Sequence, residues 1–320
     1  RSTVQIGSTR NIVKPILDKT NLKYSLAMCP ERTLEGNAIR ELSTLPQIIG
    51  SNNLETSNKC VRLFNNITSK TNIVSSWETA EIIKLSDNAY RDVSFAFGNE
   101  VAKVCAAFNV DCYEVIENGK ADYPRTDIAL PGLVGGPCLE KDPHIYNFSA
   151  LQKNIKMEII AAARKINEEL PKDIARIIFS SSIASRTNRL KILLCGLAFK
   201  GVPETDDLRG SMGLKFLEII ENIDRNDEIF LFDFEVPSNK LTKIGKVVEN
   251  IENDEKQFDL IVILNNHQNF IKIGLSNLSQ KLHKSGLIFD FWNNFYYEQK
   301  KIKELNKYYS LGNLGELKDV

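Results

Sequence analysis

The sequence predicts an α/β protein in which two parallel-sheet units flank a helical centre. Two observations carry this. Short apolar runs alternate with helical periods towards both ends of the chain, the pattern of parallel strands covered on both faces. Between them, "WETAEIIKLSDNAYRDVSFAFGNEVAKVCAAF" holds a helical period without Pro, over a length that exceeds ordinary globular helices. At 320 residues the chain has room for two domains or three small ones.

In chain order, "TRNIVKPILDKT" is amphipathic at helical spacing, and "KYSLAMCPE" reads as a strand broken at Pro30. "QIIGS" and "TNIVSS" are short strands on either side of "SNNLETSNKCVRLFNNI", a helix whose start is rich in polar capping residues. These residues, 1–76, read as the second half of a doubly wound domain. The spine helix follows and suggests a subunit interface. Next come a Gly- and Pro-bearing loop, 119–137, and a helical tract over about 148–186 that contains "KMEIIAAARKINEEL" before Pro171. A new unit opens at "NRLKILLCGLAF", with further strands "EIFLFDF", "DLIVILN" and "SGLIFDF" and helices such as "SMGLKFLEIIENI".

Composition excludes several classes. Acidic and basic side chains balance at 41 each, so no electrostatic grip on nucleic acid or an anionic membrane is expected. The longest apolar runs, "KILLCGLAF" and "DLIVIL", are of strand length and too short for a bilayer. No signal-peptide pattern is present. Six cysteines, at 29, 60, 105, 112, 138 and 195, lie without C-x-x-C spacing. They argue for a reducing cytoplasm rather than zinc or disulfides. Three scattered histidines make no metal cluster, so no metal is expected. The chain begins at Arg1, and "RSTVQIG" reads as the end of a buried strand entering a turn. With no G-x-G-x-x-G after a strand, the expectation is that upstream sequence is missing.

Three segments carry candidate chemistry. In "VGGPCLEKDP" the proline suits a first helical position. That places Cys138 in a first turn, where exposed N–H groups and the helix dipole favour a thiolate. Gly135 and Gly136 let a ligand approach the backbone, and Asp142 falls on the same helix face as Cys138. A buried thiol beside a helix cap is the other reading. In "EIIKLSDNAYRD", Lys84 and Asn88 share a face with Glu81 one turn earlier. Such a pair can stabilise an oxyanion, whereas spacing alone favours a solvated lysine. In "CPERTLEGNAIREL", Glu31 and Glu35 could position a water or act as a base. They could equally be acids placed at a helix start.

Together, "STV" at 2–4, "CPERTLEGNAIREL", "ETAEIIKLSDNAYRD", "PGLVGGPCLEKDP" and "GLAFKGVPETDDLRGS" resemble the UDP-glucose/GDP-mannose dehydrogenase family in order and spacing. The resemblance implies two Rossmann-like parallel-sheet domains, the first truncated, joined by a long central helix and a helical dimerisation region. Residues 1–76 would be the remainder of an NAD-binding domain, 77–186 the central domain with the cysteine loop, and 187–320 a UDP-sugar-binding domain. It implies NAD-dependent, four-electron oxidation of a nucleotide sugar's C6 hydroxyl to a carboxylate, through a thiohemiacetal and a thioester, in a cytoplasmic homodimer without metal. Products of this kind feed bacterial capsule or lipopolysaccharide synthesis.

The resemblance also assigns residues. Cys138 falls on the nucleophile, Lys84 and Asn88 on the oxyanion pair, and Asp142 on a carboxylate that activates thiol or water. Glu31 falls on the acid of thioester hydrolysis, and Thr3 on a residue that holds a water near it and lies by the cofactor. Leu34, Glu35, Val134, Gly135, Phe199 and Lys200 fall on substrate contacts, with Glu35 meeting the nicotinamide as well. Arg125 falls on an arginine reaching the partner subunit's substrate, and Arg209 on one touching the cofactor phosphate. "STVQIGST" replaces the common "STVPPGT", Leu133 stands where Gly is common, and no arginine follows "FDFWNN" in the family's place. "PERT", with Arg32, looks more like members acting on UDP-N-acetylhexosamines than like UDP-glucose enzymes; UDP-glucose and GDP-mannose are the alternatives. The competing function is a nucleotide-sugar-binding or assembly protein that is catalytically incomplete. The chain alone is expected to be inactive without an upstream cofactor half.

Overall fold

The computed structural model describes residues 1–181, 189–299 and 308–318, which cluster into two compact units. The first comprises Arg1–Asp92 with Cys138–Ala162, the second Val93–Pro137 with Ala163–Val320. The sequence-based boundary at 186/187, and the end of the helical tract beyond residue 181, lie outside the described residues.

The first unit opens with a π-helical turn, Thr9–Val13, that runs into α1, Lys14–Asp18. Then come α2 (Ala38–Thr44), β1 (Gln47–Gly50), α3 (Leu54–Phe64) and β2 (Thr71–Val74). Asn53 caps α3 by accepting the Thr56 N–H at 2.8 Å, which satisfies one orphan donor of the first turn. β1 and β2 pair in parallel. Successive side chains of β1 face opposite ways. Ile48 packs with Trp77 and Ala80, Ile49 with Phe64 and Cys29. The expected strand at "KYSLAMCPE" does not form. Its backbone makes only an antiparallel bridge between Met28 and Gly50, because Pro30 has no N–H to extend the ladder.

The spine, α4, spans Trp77–Ala107 and supplies residues to both units. α5 (Cys112–Lys120), α6 (Gly136–Leu139), α7 (Asp142–Leu151) and α8 (Glu158–Ser180) follow. α8 runs on through Pro171.

In the second unit β3 (Lys191–Cys195), β4 (Glu228–Phe232), β5 (Lys246–Val247), β6 (Phe258–Ile263), β7 (Leu282–Asp290) and β8 (Tyr308–Ser310) form one sheet in the order β5-β4-β3-β6-β7-β8. Every pairing is parallel. The short β5 and β8 carry too little apolar pattern to be read from sequence. Alternation sends Ile192, Leu194, Leu260 and Val262 to one face, under α8 and α9 (Met212–Glu221), and Leu193, Cys195, Ile261 and Ile263 to the other. Each fully buried aliphatic side chain contributes about 1.5–3 kcal/mol, so the central strands β3 and β6 anchor this unit. The order reverses between β3 and β6, which places a ligand crevice at their carboxyl ends.

Candidate active site

On α4, one turn apart, lie Glu81, Lys84 and Asn88, all buried. Glu81 accepts the N–H of Gly7 (2.6 Å) and Thr9 (2.9 Å) and the Thr9 hydroxyl (2.7 Å), so its task is to hold the first helical turn. Lys84 is only 8% exposed and lines a cleft of ≈ 490 Å³ with Arg32, Asp87, Asn88, Tyr90 and Arg91. Among the described residues it has no ion-pair partner, unlike the solvated lysine that spacing alone favours. An ammonium removed from water without a counter-charge is costly, and a ligand's negative charge would offset that. Asn88 donates to Asp142 Oδ2 at 2.5 Å, while Lys141 pairs with Asp142 Oδ1.

Asp142 is fully buried, and Cys138 is exposed in α6. The two do not share a helix as expected. α6 stops at Leu139 and α7 restarts at Asp142, since Pro143 cannot donate to the Leu139 carbonyl and crowds it. The break turns Asp142 inward to Asn88. Glu31 and Glu35 sit in a loop rather than at a helix start, because α2 begins only at Ala38. Glu31 Oε1 accepts the N–H groups of Arg32 (2.9 Å) and Thr33 (3.0 Å), and Oε2 pairs with Arg1 at 2.6 Å. Burial raises its pKa, but the Thr33 and Arg32 hydrogen bonds and the Arg1 charge outweigh this and hold it below the ordinary value. Leu34 N–H donates to Glu41 at 2.6 Å. Thr3 and Glu35 are half-buried in the same unit. Asp87, which the sequence reading passed over, binds the Arg32 Nε and Nη2 at 3.0 Å each. A lone acid on a helix surface gives no sequence signal.

In the second unit the loop after Pro131 meets the segment after β3. Gly136 has φ +85°, its N–H donates to the Gly210 carbonyl at 2.7 Å, and a Cβ there would stand 2.3 Å from the Phe199 ring. A Cβ on Gly135 would meet the Gly210 carbonyl at 2.4 Å. The glycines therefore serve close packing of protein on protein as well as any ligand. Val134 is buried, and Lys200 lies over the Phe199 ring at 5.2 Å. Arg209 folds onto Asp207, with Nη2 2.6 Å from Oδ2, and its hydrogen bonds keep Asp207 below the usual carboxylate range. Arg125 is exposed, stacked on Tyr123 at 4.4 Å. Sequence reasoning missed Asp233, which accepts the Ala198 N–H at 2.9 Å, and Asn266, which accepts from Gly201 at 3.0 Å. An acid just after the second strand of the unit was the available signal.

Glu204, Glu235 and His267 bring potential ligand atoms within 4.8 Å of one another. His267 Nδ1, however, accepts the Asn269 N–H at 3.1 Å, and Nε2 lies 3.2 Å from Glu235. The ring proton of the neutral imidazole therefore sits on Nε2, the atom a metal would need bare. Among the described residues no helix is long and apolar enough to cross a membrane.

A long helix and parallel α/β sheets, one with a ligand crevice at a strand-order switch, define a nucleotide-handling class. Residues 1–68, 78–169 and 193–296 match, respectively, the NAD binding, central and UDP binding domains of the UDP-glucose/GDP-mannose dehydrogenase family. The UDP-N-acetyl-D-mannosamine dehydrogenase of Pyrococcus horikoshii is 32% identical over 293 residues, covering 88% of this chain and 66% of its own length. That of Escherichia coli K12 is 30% identical over 300 residues, covering 88% and 70%. A solved UDP-D-ManNAc dehydrogenase from Pyrococcus horikoshii superposes with a TM-score of 0.82 at 28% identity, over 98% of this chain and 72% of that one. The chain belongs to the UDP-glucose/GDP-mannose dehydrogenase family. It spans 66% and 65% of the length of the first two curated relatives it matches. NAD is the cofactor of the family domain that residues 1–68 match.

Proposed function

We propose that this chain serves an NAD-dependent, four-electron oxidation of the C6 hydroxyl of a UDP-N-acetylhexosamine, with UDP-N-acetylmannosamine, the sugar for which its relatives are named, as the substrate. The observation that carries the reading is the buried Lys84, without an ion partner among the described residues, beside an Asn88 bonded to Asp142 four residues after Cys138. The Cys138 thiolate attacks the C6 aldehyde, and the resulting oxyanion is met by the Lys84 ammonium and the Asn88 amide. NAD+, when bound, would supply the hydride acceptor, one molecule for each of the two oxidations. Glu31, ionised at neutral pH by its hydrogen bonds, takes the proton from the water that cleaves the thioester, with Thr3 beside it. The Thr3 hydroxyl and Glu35 carboxylate suit ribose and amide groups of a nicotinamide nucleotide, and Arg209 a phosphate once it leaves Asp207.

Leu34, Val134, Gly135, Phe199 and Lys200 contact the nucleotide sugar in this reading, and Arg125 reaches across to a second subunit. Residues 1–76 serve the cofactor, 77–186 the nucleophile and dimer, and 187–320 the UDP-sugar. Support for a homodimer comes from α4, where Phe97 and Val104, at i and i+7 on one helix face, are 52% and 58% exposed, and from Phe108 just past its end, 77% exposed. Unpaired cysteines suit a cytoplasmic enzyme.

Oxidation of UDP-N-acetylmannosamine by the full-length protein, followed as NADH, should yield two equivalents per sugar. Cys138→Ser should lower the rate by about 10³-fold or more. Undiminished turnover by that variant would refute the thioester route, and UDP-sugar binding without NADH would favour a binding protein.

A further inference from the structure

The segment that delivers the chain to Cys138 is gripped from outside by side chains that no step above uses. Asn99 on α4 pairs with Gly132 as one rung of a strand would. Its Oδ1 accepts the Gly132 N–H at 2.9 Å and its Nδ2 donates to the Gly132 carbonyl at 3.2 Å. The same Nδ2 donates to Asn167 Oδ1 at 3.0 Å. One turn earlier on α8, Arg164 Nη2 donates to the Val134 carbonyl at 3.1 Å. Asn99, Asn167 and Arg164 are 1%, 0% and 2% exposed. Their helical neighbours Ala102, Leu170 and Ile174 belong to the apolar core, as does Leu133 of the segment itself. Polar groups buried among hydrocarbons survive only when satisfied, so two amides and a guanidinium here fix a geometry that apolar packing would not. Trp292 closes the remaining side, since a Cβ on Gly132 would stand 2.7 Å from its ring.

We propose that Asn99, Asn167 and Arg164 are positioning residues, a buried clamp that fixes the backbone of residues 132–136 and thereby sets where the Cys138 nucleophile stands. The inference rests on the reading of Cys138 as nucleophile. Reacting groups must be placed within a fraction of an ångström, and a 1 Å error costs about 10²-fold. A clamp made of directional bonds meets that demand.

The test uses the full chain and a readout other than stability. Alkylation of Cys138 by iodoacetamide is followed by peptide mass spectrometry with and without saturating UDP-N-acetylmannosamine, and half-buried Cys60 in the same molecule is the reference. In the wild type the sugar should shield Cys138 about tenfold and leave Cys60 unchanged, as expected for a thiol set against the bound sugar. Asn99→Asp keeps the side-chain volume but turns an acceptor onto the Gly132 carbonyl. Arg164→Lys replaces the planar donor fork with a single ammonium. With melting temperatures near the wild-type value, each should lose shielding to about twofold or less and speed amide exchange over 131–137. Should Asn99→Asp fail to fold, Arg164→Lys decides. Shielding retained at the wild-type level overturns the clamp while leaving the nucleophile reading intact. A wild-type Cys138 that the sugar does not shield overturns the nucleophile reading, and the clamp's purpose with it.

Discussion

The loop carrying Glu31 and the segment 132–136 are both candidate substrate contacts, yet they are held in opposite ways. Glu31 accepts from residues one and two positions ahead, and Leu34 from its loop donates to Glu41. The ion pairs of this loop, Arg1–Glu31 and Arg32–Asp87, have side chains between 32% and 45% exposed. Segment 132–136 is tied to Asn99, Arg164 and Gly210, all remote in sequence and, at the two side chains, fully buried. Local, solvated bonds can be traded one at a time for bonds to a ligand. Buried, non-local ones must break together. The Glu31 loop is therefore built to adapt, and segment 132–136 is set in advance.

The largest effect that sharpens this contrast is expected at Gly136. Alanine there would have to hold a φ of +85° and place its Cβ 2.3 Å from the Phe199 ring. The left-handed conformation costs about 1–2 kcal/mol and overpacking about 1–3, so Gly136→Ala should lose about 3 kcal/mol in urea unfolding. A loss under about 1 kcal/mol, the ordinary cost of a surface change, would mean that the segment yields as readily as the acid loop.

Next in size is Asp290, which buttresses the second unit by accepting the N–H groups of Trp292 (2.9 Å) and Asn294 (2.6 Å) and the Tyr308 hydroxyl (2.9 Å). Complete burial pushes its pKa up to about 6, against hydrogen bonds that pull the other way. A carboxyl raised above its unfolded value contributes stability that is full below about pH 4 and is lost as pH climbs through about 6. A rise from the ordinary 3.8 to about 6 corresponds to about 3 kcal/mol. Asp290→Asn removes this slope, so its stability relative to wild type should rise by about that amount between pH 4 and pH 7. A difference that stays flat with pH would show that the carboxylate carries no burial penalty.

What the sequence disclosed follows the range of the interactions involved. The strands β3, β4, β6 and β7 and the spine were legible because alternation and helical period are local records of burial. Lys84, Asn88, Asp142 and Cys138 were legible as residue types at a spacing. Their surroundings were not. That Lys84 is buried, that Pro143 breaks the helix between Cys138 and Asp142, and that Asn99 meets Gly132 all depend on contacts between distant segments. A buried Asn reads in sequence as one more polar residue on an amphipathic helix. The apolar run around Met28 predicts a strand, but only a bridge to Gly50 forms, because Pro30 cannot donate the next ladder bond to that distant segment.

The smallest effect distinguishes the two regions by sign. Glu31 is held below its ordinary pKa, so its contribution is present above the unfolded value near 4.5 and fades as pH falls through the depressed folded one. Asp290 does the reverse over a higher window. Acidification from pH 7 to pH 4 should therefore stabilise the second unit through Asp290 before further acidification weakens the first through Glu31. The Glu31 side chain is 41% exposed, so solvent screens the effect to well under about 1 kcal/mol. Glu31→Gln should match wild type below pH 3 and fall slightly behind it at pH 7, when unfolding is followed at a site in each unit. A deficit at pH 3 as large as that at pH 7 would show that the loop depends on side-chain shape rather than charge. The adaptable loop would then be held as firmly as the clamped one.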